Sequence, residues 1–205
     1  MYYRPGIDPH GLPHNPFKAM VTPRPIGWIS TLDKDGRANL APYSYFNALS
    51  DAPPMVMFSS SGQKADRDGT KDSVANILET GEFVCNIASY ALRDAMNTSS
   101  GNYPSGEDEF DLAGLEKAPC NIVAVPRVAA APGALECKLW KTVDLIAENS
   151  VMVIGEVVGI HIDDTILDDG IFDITRYQPL TRLGYMDYSS INDVFALARP
   201  GQVKP

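Results

Sequence analysis

The stretch Thr22–Ser50, TPRPIGWISTLDKDGRANLAPYSYFNALS, constrains the fold more than any other part of the chain. Two β-prone runs flank Asp33-Lys34-Asp35-Gly36. An Asp side chain bonds its own backbone and Gly accepts a positive φ, so the tetrapeptide predicts a tight turn and the runs a hairpin. In the first run Ile26, Trp28, Ser30 and Leu32 share one face and Gly27, Ile29 and Thr31 the other, as expected of a strand between two different environments. The return run, Asn39–Asn47, sets Asn39, Ser44 and Asn47 beside the rings of Tyr43, Tyr45 and Phe46, around Pro42. Small hydroxyls, amides and flat rings in one strand suit a surface that receives a flat polar ligand. They equally suit a barrel strand that turns polar residues to water, and the residues alone leave both readings open.

Further strands follow. Residues 55–60, MVMFSS, are short, apolar and β-prone, and run into Ser59, Ser60 and Ser61. Residues 82–88, EFVCNIA, form another such run. Asn121–Val125 and Val128–Ala131 read as strand pieces around Pro126. In Ala134–Ile146, Leu135, Cys137, Leu139, Val143 and Leu145 alternate with polar residues, which predicts one buried and one wet face. Val151–Ile162 is the most apolar strand, with Gly155 and Gly159 on one face; glycine inside a strand marks a bend or a close backbone approach. Many short strands and few helices predict a closed all-β barrel with peripheral helices. Residues 1–21, with Pro5, Pro9, Pro13 and Pro16, predict an extended arm; residues 22–205, with no repeat or linker, predict one domain. In the tail, Ile191, Val194, Phe195 and Ala198 fit one face of a short helix.

The helix predicted after residue 72 carries Val74, Ile77 and Leu78 as its apolar stripe, with Asp72 or Ser73 as cap and Gly81 as terminator. Its start gathers Lys64, Arg67, Lys71 and Ser73 just after the serine run. Free N–H groups at the positive end of a helix dipole, with local Lys and Arg, make an anion site. A solvated loop holding Asp66, Asp68 and Asp72 is the competing account. Ser89 is placed to cap a second helix with Leu92, Ala95 and Met96 on one face, and the polar loop 97–110 after it has the length of a lid.

The net charge of −9 argues against nucleic acid or an anionic membrane surface as partner, since both are polyanions. The start shows no secretory pattern, and no apolar run reaches the ~20 residues a membrane helix needs. Cys85, Cys120 and Cys137 are dispersed and odd in number, which suits buried thiols in a reducing cytoplasm. No residue set predicts a metal site: the arm's His10 and His14 are separated by proline, and His161 reads as structural. No catalytic residue is predicted.

In order along the chain, NPFKAMVTPRPIGWIST (15–31), NLAPYSYFNALS (39–50), PPMVMFSSS (53–61), KDSVANILETGEFVCNIA (71–88), AMNTSS (95–100), DEFDLAGL (108–115) and PLTRLGYMDY (179–188) resemble the flavin reductase-like family of FMN-binding split-barrel proteins, the flavoredoxin-type branch in particular. Ser73 stands where many members have Thr, which keeps the hydroxyl. The resemblance implies a mainly β, six-stranded Greek-key split barrel with a few peripheral helices, a homodimer, and one FMN per subunit. It implies that the flavin ring lies against Ser44, Tyr45, Phe46 and Asn47 with Trp28 and Thr31 nearby. The phosphate would meet Ser59, Ser60, Ser61, Lys71, Asp72 and Ser73. It further implies transfer of reducing equivalents from NADH or NADPH to free flavin, a partner monooxygenase or a ferric complex. The alternatives are an electron carrier without pyridine-nucleotide turnover, or a flavin-free interaction module. With no evident Arg pair for a 2′-phosphate, the chain leans toward NADH.

Overall fold

The structure, a computed structural model, describes residues 1–62 and 70–201. Its centre is a seven-stranded antiparallel sheet. The predicted turn is present: Asp33 Oδ1 accepts from the N–H groups of Asp35 and Arg37, and Gly36 takes a φ of +82°. It joins β1 (Gly27–Leu32) to β2 (Ala38–Tyr43). The return run is not one strand. It breaks at Ser44–Tyr45, and the chain restarts as β3 (Phe46–Asp51), which pairs with β4 (Pro54–Ser61). After α1 (Asp72–Thr80) come β5 (Glu82–Ile87), α2 (Arg93–Thr98) and α3 (Glu109–Leu112). The long hairpin of β6 (Gly133–Asp144) and β7 (Ser150–Ile162) completes the sheet.

The strand order is β2-β1-β5-β6-β7-β4-β3. The two edges of the sheet, β2 and β3, are therefore consecutive in the chain. Laid flat, six strand spacings would put them ~29 Å apart. The link through Ser44–Tyr45 reaches only about 11 Å when fully extended. The sheet must curl until its edges meet, and it does so as a barrel with an open seam. The expected count of six strands is thus corrected to seven, because the break at Ser44–Tyr45 divides one predicted strand into two, one at each edge.

The barrel interior holds Ile29, Tyr43, Val56, Phe58, Phe83, Cys85, Cys137 and Val153, with Val74 and Ile77 of α1 packed into the same cluster. Tyr43, Phe58 and Phe83 stack in sequence at centroid distances of 4.6 and 5.9 Å. Rings of this size each contribute about 2–3 kcal/mol by burial. The thiols of Cys85 and Cys137 are free, and burial pushes the Cys85 thiol well up. Gly155 and Gly159 both sit at register shifts against β6, where β7 bends. A Cβ on Gly155 would meet the Phe83 ring at 2.4 Å, so the glycine makes room for a core aromatic. On the outer face of β1, Trp28 and Ile26 join Leu40, Met96, Phe110 and Leu180 in a second core under α2 and α3.

Two expected elements are absent. Residues 121–125 form no strand. Instead the N–H groups of Asn121, Ile122 and Val123 all donate to the carboxylate of Glu136, at 2.9, 2.7 and 2.9 Å. The single buried acceptor replaces a ladder partner. Residues 191–199 form no helix; Val194, Phe195 and Leu197 stand exposed. Their apolar pattern has no body surface beneath it. The predicted arm contains only one helical turn, Phe17–Met20. Its Ala19 lies where a Cβ on Gly184 would come within 2.4 Å, so arm and tail are in close contact.

Candidate functional site

At the seam, the Ser44–Tyr45 crossing, the end of β4 and the start of α1 enclose a cleft of about 520 Å³. Helix α1 begins there because Lys71 is extended and the chain then turns helical; it ends at Gly81, whose φ of +74° lets its N–H reach Ile77 O at 2.8 Å. Neither Asp72 nor Ser73 is its cap: both lie in its first turn, after Lys71. The helix start therefore presents backbone N–H groups and a positive dipole end to the cleft.

Of the residues expected to bind flavin, Ser44, Tyr45, Ser59, Ser61, Lys71, Asp72 and Ser73 all line this cleft. Trp28, Thr31, Phe46, Asn47 and Ser60 are not among its lining residues. Trp28 is fully buried, and its indole N–H donates to Ser99 Oγ at 2.8 Å. Ser99 in turn lines the cleft, so Trp28 stands one layer behind it. Thr31 is buried, and its hydroxyl accepts from Asn76 of α1 at 3.1 Å. Ser60 points inward because alternate residues of a strand face opposite ways, and Ser59 and Ser61 already face the cleft. Phe46 packs against the barrel core with its ring over Gly27, where a Cβ would meet it at 2.5 Å. Asn47 lies on exposed β3, and its side chain accepts from Ala48 N–H at 2.9 Å. Lys64 and Arg67 lie outside the described residues.

Lining residues outside the expected flavin set are Lys18, Glu109 and the run Ser99–Asn102, together with Asn39 and Tyr43 from the run read as a surface for a flat ligand. Asn39 donates to Ser73 Oγ at 3.1 Å, which fixes that hydroxyl. The phenol of Tyr43 shares hydrogen bonds with Ser73 and Ser60; burial, first of all, pushes its pKa up and keeps it protonated. Glu109 is buried and accepts from Leu40 N–H at 2.9 Å. Within the loop 97–110, Ser105 Oγ donates to Asp72 at 3.1 Å and Asp108 caps α3 by accepting from Phe110 N–H at 2.9 Å. The loop thus runs from α2 to α3, lines the cleft with Ser99–Asn102 and touches the start of α1 through Ser105. An Asn and a Tyr within a strand were visible signals for Asn39 and Tyr43. The contributions of Lys18 and Ser99–Asn102 depend on tertiary approach alone.

Chemically the cleft offers hydroxyls, amides, a helix start, Lys71 and the Pro42–Tyr45 segment with its two rings. Among the described residues its lining holds no His or Cys. One cluster elsewhere carries the residue types of a metal site: Cys120, Glu136 and His161 lie with their ligand atoms within 4.8 Å. Glu136 already accepts three backbone N–H groups and meets His161 Nε2 at 2.7 Å. Burial and the neighbouring Glu136 raise the Cys120 thiol to about 11. The cluster ties the 120–123 loop to β6 and β7.

A protein of Aquifex aeolicus with no assigned function is 40% identical over 166 residues, covering 80% of this chain and 83% of its own. Nitrilotriacetate monooxygenase component B from Bacillus cereus superposes with a TM-score of 0.87 at 28% identity, over 96% of this chain and 98% of that one. Flavoredoxin of Desulfovibrio vulgaris superposes with a TM-score of 0.76 at 26% identity, over 88% and 93%. Residues 19–181 match the flavin reductase like domain, and the chain belongs to that family.

Proposed function

We propose that the chain is an FMN-binding oxidoreductase of the NAD(P)H:flavin reductase type. The observation that carries this reading is the cleft at the barrel seam, whose one lining combines Ser44 and Tyr45 with Ser59, Ser61, Lys71 and the start of α1. A volume of about 520 Å³ is in the range of cofactor sites. The lining fits a flavin mononucleotide: Ser59, Ser61, Lys71 and Ser73 with the α1 N–H groups would hold the phosphate, and Ser44 and Tyr45 the ring. Trp28, Thr31 and Ser60 would act from behind, by holding Ser99, Asn76 and Tyr43. Phe46 and Asn47 would flank the ring from the seam strand. Bound flavin would supply the redox chemistry itself, so the protein needs no acid–base triad. The chain's own task is to hold the phosphate, orient the ring, and leave one face open to a second molecule.

In this reading residues 22–205 are the FMN-binding body and 1–21 its arm. The protein works as a cytoplasmic homodimer, consistent with three free thiols and an exposed apolar tail. No helix among the described residues is long and apolar enough to cross a membrane. The likeness to a monooxygenase component favours a partner oxygenase as one acceptor.

The test is spectroscopic. FMN titration should give a stoichiometric complex with flavin bands shifted from free FMN. Anaerobic NADH or NADPH should then bleach those bands. Protein that takes up no FMN overturns the reading. Bound flavin that neither nucleotide reduces would instead select the second reading, an electron carrier, which the 26% identity to flavoredoxin favours.

A further inference from the structure

Beside the main cleft lies a second cavity of about 250 Å³, lined by Lys18, Arg24, Arg182, Tyr185 and Tyr188, which shares Lys18, Pro42, Ser44 and Ser100 with its neighbour. Among the described residues no carboxylate lines it, although the chain carries a net charge of −9. Arg24 and Arg182 are far apart in sequence but face each other as direct partners in a short antiparallel pairing. The fold thereby creates an arginine pair that is invisible along the chain.

Arg24 is only 6% exposed. A charge so buried is ordinarily neutralised by a partner of opposite sign. Its guanidinium instead donates to neutral acceptors: Lys18 O, Val21 O at 2.6 Å, Leu183 O at 2.8 Å and Ser44 Oγ at 3.4 Å. Among the described residues no ion pair involves Lys18, Arg24 or Arg182. The guanidinium of Arg182 lies over the Tyr188 ring at 4.3 Å and donates to Tyr185 O. Tyr185 itself holds a φ of +57°, in the left-handed region that a bulky side chain seldom occupies. The walls are fixed, because Arg24 grips both the arm turn and Leu183 while Gly184 abuts Ala19. Three cationic side chains and two rings on a fixed frame give the pocket the chemistry to take an anion.

We infer that this annex seats an oxyanion, phosphate or carboxylate, of the molecule that exchanges electrons with the flavin. The inference rests on the flavin reading above and names where its second substrate is held. A phosphate would come from a pyridine nucleotide; a carboxylate would come from an organic acceptor. Guanidinium groups recognise either. Arg182, which donates to Tyr185 O, keeps donors for a bidentate grip, whereas Arg24, already giving four hydrogen bonds, contributes mainly its charge.

The experiment titrates FMN-loaded protein with 2′,5′-ADP and, separately, with benzoate, following the flavin spectrum and the heat of binding. The protein is compared with Arg182→Ala and Lys18→Ala. At least one probe should bind and should weaken about tenfold or more in each variant. FMN affinity of Arg182→Ala should stay within about twofold of the parent. Preference for 2′,5′-ADP assigns the annex to a pyridine nucleotide, and preference for benzoate to an acceptor. Lys18 is exposed, so Lys18→Ala keeps the test alive where Arg182→Ala fails to fold. Unchanged probe affinity in both variants, or no binding of either probe to the parent, overturns the inference. So does a loss of FMN affinity in Arg182→Ala that parallels the probe, since the annex would then hold the flavin's own phosphate. Calorimetry separates the two readings: protein that takes no FMN yet binds a probe through Arg182 loses the flavin reading, and with it the electron-exchanging ligand, and keeps the annex as an anion site alone.

Discussion

Glu136 is the residue on which a whole loop depends. Burial would raise its pKa, but the N–H groups of Asn121, Val123 and Ile122 and the His161 ring hold it down at about 2, against an ordinary 4.5. A carboxylate depressed in the folded state stabilises above its unfolded pKa and loses that contribution as pH falls through the folded value. Stability should therefore decline between about pH 4.5 and pH 2. Urea melts across that window should show the slope, and Glu136→Gln should flatten it. At neutral pH Glu136→Gln should cost about 2–4 kcal/mol, because an amide N–H₂ would face backbone donors. Gly155→Ala is a second residue-scale test. Its Cβ would fall 2.4 Å from the Phe83 ring, and thermal unfolding should report about 1–3 kcal/mol of destabilisation.

At the scale of elements, the start of α1 and the end of β4 together form the anion-binding half of the cleft. Lys71→Ala combined with Ser59→Ala should weaken FMN by about tenfold or more, measured by fluorescence titration, with little change in melting temperature. An unchanged affinity would move the phosphate elsewhere. These two elements were legible in sequence because periodicity, capping and a C-terminal glycine are local signals. The break at Ser44–Tyr45 was not, because β-propensity runs through those residues and only the competition of two sheet edges divides them. Asn121–Val125 misled for a related reason: its residues favour strand, yet Glu136 supplies a better partner than any neighbouring backbone. Trp28 was expected nearby, but its alternation partners could not say which of two cores would receive it. Lys18, Ser99 and the pairing of Arg24 with Arg182 depend on approach between distant segments, which no window of sequence contains.

For the molecule as a whole, the exposed residues of the tail pose the largest question. Phe195 is 85% and Leu197 84% exposed. Large apolar side chains so displayed mark an interaction surface. We expect sedimentation to give a dimer and expect a chain ending at residue 190 to shift toward monomer. A full-length monomer at micromolar concentration would contradict the homodimer. The family and the barrel were legible across the chain, since the quoted motifs span it in order. The assembly was implied by resemblance only, because a tail with no surface beneath it reads locally as an amphipathic helix.

The dipeptide Ser44–Tyr45 joins both edges of the sheet and also walls the cleft, and Tyr45 O accepts from Ser59 N–H at 2.8 Å, which extends the β3–β4 ladder up to the crossing. Any motion that opens the barrel must therefore pull the cleft apart, and any ligand spanning the cleft acts as a clasp on the cylinder. A ligand present at a hundredfold its dissociation constant adds ~2.7 kcal/mol to folding. That gain should be spread around the hoop rather than confined to the site. Amides on β6 and β7, which do not line the cleft, should exchange with deuterium more slowly once FMN is bound.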